Sequence, residues 1–108
     1  MELFTQEIID CIRFDSGLTI EELQKPWIKE IFECMHDPEG PYVPCSVVHK
    51  IPSEDILNKI VFSIARLYKN GTPRTRQFII EFAGIERAMG NPLTGCIYER
   101  AFMLRNSV

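Results

Sequence analysis

The chain has 108 residues, 45% of them apolar and 25% charged, with a formal net charge of −3. That is one domain's length, apolar enough to build a core without staples, and too ordinary in charge for a disordered tail. The start, Met1-Glu2-Leu3-Phe4-Thr5-Gln6-Glu7, has no basic stretch followed by an apolar run, and no segment reaches the eighteen apolar residues a membrane span needs. A cytoplasmic protein with no membrane partner is expected.

Elements follow in chain order. Over 2–14, Leu3, Ile8, Cys11 and Ile12 recur at helical spacing, with Phe4 and Ile9 widening the stripe, and Asp15-Ser16-Gly17 ends the helix. Thr19-Ile20-Glu21-Glu22 is a capping-box pattern and opens a second helical stretch over 19–36. Pro26 predicts a kink or restart there, with Trp27, Ile28, Ile31, Phe32 and Met35 facing inward. Residues 37–50 form an irregular connector, since Pro38, Pro41 and Pro44 forbid a continuous helix.

Ser53 as cap, with Glu54 and Asp55 in the first turn, predicts a helix over 53–70 whose inner stripe is Leu57, Ile60, Val61, Ile64, Leu67 and Tyr68. Asn70-Gly71 reads as a left-handed stop. Thr72 then caps, and Pro73 opens, a helix over 73–89 with the stripe Phe78, Phe82, Ile85 and Met89, flanked by Ile79 and Ala83. Gly90-Asn91-Pro92 breaks it, and a last helix runs over 92–104. The fold class expected is all-α: a single compact domain of four to five helices with an irregular proline-rich connector.

Three groups of residues could carry function. The charge is unevenly spread: residues 1–40 hold ten acids and three bases, residues 41–108 five acids and nine bases. Two oppositely charged halves can fold against each other. They can also present a polarised surface to a partner. The acids Glu2, Glu7, Asp10, Glu30 and Glu33 would then form an acidic helical face for another, basic protein, as small inhibitors, immunity proteins and adaptors use. This is the leading expectation: a non-enzymatic interaction module, with a homodimer also open.

The alternative is a small nucleic-acid-binding regulator. The junction over 64–79 loosely matches a helix-turn-helix, in which Thr75, Arg76 and Gln77 would meet base edges while Lys69 and Arg74 reach phosphates. The helix N-terminus there would favour an anion.

The third group is Cys34, His36, Cys45 and His49, two thiolates and two imidazoles that suit tetrahedral zinc. Such a site would be structural, with every position filled by protein. The spacing matches no common zinc signature, so no cofactor is expected, and the four cysteines, Cys11 and Cys96 included, read as free thiols. No phosphate-binding glycine loop, nucleophile elbow or His-Glu-x-x-His occurs. Glu21/Glu22 and Glu54/Asp55 are helix-start acids, for which capping is a sufficient reason.

Overall fold

The computed structural model describes residues 2–29, 51–90 and 96–107, with residues 2–5 as backbone. Its helices, in chain order, include α1 (Glu2–Asp15), α2 (Ile20–Leu23), α3 (Glu54–Asn70), α4 (Pro73–Ala88) and α5 (Tyr98–Met103). Residues 26–29 are also helical, and no strand occurs among the described residues. The chain forms a single all-α domain, and its radius of gyration, 12.5 Å, matches the roughly 13 Å that scaling gives at this length.

Local chemistry sets the helix ends. Ser16 Oγ donates back to the Ile12 carbonyl, and Gly17 takes φ +82°, so α1 cannot continue. At α2 both halves of the capping box form: Glu22 N–H donates to Thr19 Oγ1 (3.1 Å) and Thr19 N–H to Glu22 Oε1 (2.9 Å). The Thr19 amide first, then the Thr19 hydroxyl and the Lys59 charge, draw the Glu22 carboxyl below its usual range. The helix then pauses at Gln24 and Lys25 and resumes at Pro26, as expected for a proline that tolerates only a first turn. Ser53 Oγ accepts from Ile56 N–H (3.2 Å) at α3. Thr72 Oγ1 accepts from Thr75 N–H (3.3 Å) at α4, with Pro73 in the first turn.

The core forms where apolar faces converge. Ile8, Ile9 and Ile12 of α1 meet Leu57, Ile60, Val61, Ile64 and Ala65 of α3, together with Ile79 and Ala83 of α4 and Ile97, Tyr98 and Ala101 around α5. Each buried isoleucine contributes roughly 1.5–3 kcal/mol, so the three from α1 anchor that helix. Trp27 packs on the margin of this core and Ile28 is buried. Ile31, Phe32, Met35 and the connector over 37–50 lie outside the described residues. Phe78 and Phe82 stand 5.8 and 5.5 Å from Tyr98, ring centre to ring centre, and bind α4 to α5.

Three expectations need correction. Gly71 is not left-handed: its φ is −84° and ψ −179°. Its value is lack of bulk, because a Cβ there would lie 2.7 Å from both Glu7 Oε1 and the Leu67 carbonyl oxygen. The inward face of α4 is Thr75, Ile79, Ala83 and Glu86, whereas Ile85 and Met89 are exposed. Helix α4 is gripped by α1, α3 and α5 together, and that arc leaves Phe78 and Phe82 on its edge. Finally, Cys96 and Ile97 are not helical and the last described helix begins at Tyr98, while residues 91–95 lie outside the described residues. Ile97 at its cap position makes no side-chain cap, so the helix starts where a carboxylate from α4 receives its first amide.

Candidate functional site

Residues from both rival sequence-level sites meet where α1 crosses the α3–α4 turn. The turn has only two residues, Gly71 and Thr72, between the last turn of α3 and the first of α4. Glu7, one turn ahead of Cys11 on α1, points its carboxylate into it. Thr72 N–H donates to Glu7 Oε1 (3.1 Å), and Thr75 Oγ1 donates to Glu7 Oε2 (3.0 Å). Thr72 Oγ1 lies 3.2 Å from the same Oε2 and 3.1 Å from Thr75 Oγ1. A carboxylate therefore already occupies the positive end of α4, where an anionic ligand would otherwise sit.

Two further links join the acidic first part of the chain to the basic remainder. Arg66 of α3 reaches the end of α1, its Nε 3.2 Å from Asp15 Oδ2 and its Nη2 donating to the Asp15 carbonyl (2.5 Å). Lys59 Nζ lies 4.0 Å from Glu22 and 3.7 Å from Asp55. Part of the charge asymmetry is thus spent within the fold. At the surface such pairs contribute little each, so they set register more than stability.

Of the acidic face, Glu7 is committed to the turn. Asp10 is half-buried and accepts from Gln6 Nε2 (2.8 Å) on its own helix. Glu2 begins α1, and its side chain, like Glu30 and Glu33, lies outside the described residues. At the junction, Lys69, Arg74 and Gln77 are exposed and Arg76 is half-buried. Gln77 Nε2 donates to Glu81 Oε1 (3.3 Å). Thr75 is buried and its hydroxyl faces Glu7. Cys34, His36, Cys45 and His49 fall outside the described residues. Among the described residues, no group of three or more His, Cys, Asp or Glu side chains could hold a metal.

Glu86 is a further candidate, one that no local sequence motif marks. This carboxylate is fully buried on α4, and Oε1 accepts from Tyr98 N–H (2.8 Å), capping α5 from a neighbouring helix. Oε2 has no hydrogen-bond partner among the described residues. Burial pushes the Glu86 carboxyl above its usual range, against the opposing pull of the Tyr98 amide, the Cys96 thiol and the neighbouring amides of Glu99 and Ile97. Burial first, and the nearby Glu86 charge second, also raise the Tyr98 phenol. Nearby, Arg87 Nε pairs with Glu99 Oε1 at 2.9 Å, a second tie between α4 and α5. One signal for Glu86 was present in the sequence: an acid at the helical spacing of Thr75, Ile79 and Ala83.

Cys11 and Cys96 are free thiols. Cys11 Sγ donates to the Ser63 carbonyl oxygen (3.1 Å). Burial, reinforced by the Asp15 charge, pushes its pKa up to about 11, so the thiol is a protonated donor and not a nucleophile. No helix among the described residues is long and apolar enough to cross a membrane.

Comparison with known proteins gives no family: no family model, curated protein or solved structure matches the chain.

Proposed function

We propose that the chain is a non-enzymatic interaction module that binds another protein at the corner between the end of α1 and the start of α2. The observation that carries this reading is the exposure of two large apolar side chains there: Phe14 is 78% and Ile20 74% accessible. Ile8, Ile9 and Ile12 on the same helix are almost wholly buried, and Phe14 and Ile20 are the most exposed of the large apolar side chains among the described residues. Burying a phenylalanine or isoleucine contributes roughly 1.5–3 kcal/mol, and an aromatic anchor seated in a partner's pocket is where interfaces concentrate their affinity.

Charge supplies orientation at this corner. Asp10 lies one turn before Phe14, and the exposed Glu21 follows Ile20. The partner that fits is a protein with an apolar pocket rimmed by basic groups, as for an inhibitor, immunity protein or adaptor acting in the cytoplasm. The nucleic-acid reading has less support, because Thr75 is buried, Gln77 is bonded to Glu81, and Glu7 fills the anion position at the α4 N-terminus.

The test is affinity capture from the native host with the tagged chain, with and without nuclease, beside a Phe14→Ser/Ile20→Ser variant. Exposed positions tolerate such changes within about 0.5 kcal/mol each, so the variant should fold normally. A stoichiometric protein that survives nuclease and is lost with the variant supports the proposal. Capture of nucleic acid alone, lost on Arg74→Ala/Arg76→Ala, would overturn it in favour of the junction.

A further inference from the structure

We draw no further inference here: the strongest candidate, the outer face of α4 where Ile80, Ile85 and Met89 stand exposed beside Gly84, carries none, because nothing in the structure shows what covers it.

Discussion

Replacing Glu7 by alanine removes the acceptor for the Thr72 amide and for the Thr75 hydroxyl at 3.1 and 3.0 Å. Hydrogen bonds to a charged group are worth about 1.5–3 kcal/mol each, but only where water cannot take over. The Thr72 amide lies at the surface, so water recovers most of that bond. The Thr75 hydroxyl is buried and loses its charged acceptor, keeping only the neutral Thr72 hydroxyl at 3.1 Å, and losing a negative charge at a helix N-terminus costs about 0.3–1 kcal/mol more. Glu7→Ala should therefore destabilise the fold by about 2–3 kcal/mol, a fall in Tm of roughly 8–12 °C for a domain of this size. Thr75→Val deletes the hydroxyl with little change of shape. If the two groups act on each other, the double variant should be less destabilised than the sum of the singles, by about 1–2 kcal/mol. Urea unfolding at pH 7, followed by circular dichroism, reads all three values. Additivity within about 0.5 kcal/mol would refute the internal-cap assignment and return Glu7 to the surface as a candidate partner contact.

Gly71→Ala should destabilise by about 1–3 kcal/mol through overpacking. Its φ of −84° suits alanine, while the added carbon would meet Glu7 and the Leu67 carbonyl; a neutral or stabilising result in thermal unfolding would count against the close approach. Glu86 holds its proton more tightly folded than unfolded, so its contribution is complete below the ordinary carboxyl value of 4.5 and is lost as pH rises through the raised value. Glu86→Gln should consequently gain stability relative to wild type as pH climbs from 4 to 8, and a pH-independent difference in urea midpoints would contradict that assignment. Cys11, with a pKa of about 11, has on the order of 0.1% thiolate at pH 8. Iodoacetamide followed by peptide mass mapping should leave it unmodified in the native protein and label it in urea, and equal labelling in both would overturn the buried-donor description.

What could be read from the sequence was whatever local chemistry decides. The caps at Thr19, Ser53 and Thr72 each bond the amide their spacing implied, because a cap depends on residues three apart. The stripe of α3 was equally plain, since Leu57, Ile60, Val61 and Ile64 present one well-separated face. Helix α4 was harder. It has apolar residues on two overlapping arcs, Phe78/Phe82/Ile85 and Ile79/Ala83, and only the arrangement of α1, α3 and α5 around it chooses between them. Glu86 was missed for the same reason: a carboxylate becomes a helix cap across twelve residues only once Tyr98 is brought beneath it. Gly71 was assigned the commoner use of a glycine after a helix, while the use found here depends on Glu7, sixty-four residues earlier in the chain.

The Glu7 contact bears directly on which function to test first. By sequence Glu7 belongs to one candidate surface and Thr75 to another, and the fold joins both in a single junction. Phosphate binding at the start of α4 would have to displace a carboxylate already held by an amide and a buried hydroxyl. Displacement costs the same few kcal/mol that the cap contributes, and it loosens α1 at the same time. Binding at the Phe14–Ile20 corner costs the fold nothing of this kind, since neither side chain belongs to the buried core. A ligand that leaves the folded state intact needs only its own contact energy to bind, whereas one that opens the junction must first offset the loss of the cap. On that difference the corner between α1 and α2 is the surface to mutate first, ahead of the basic junction.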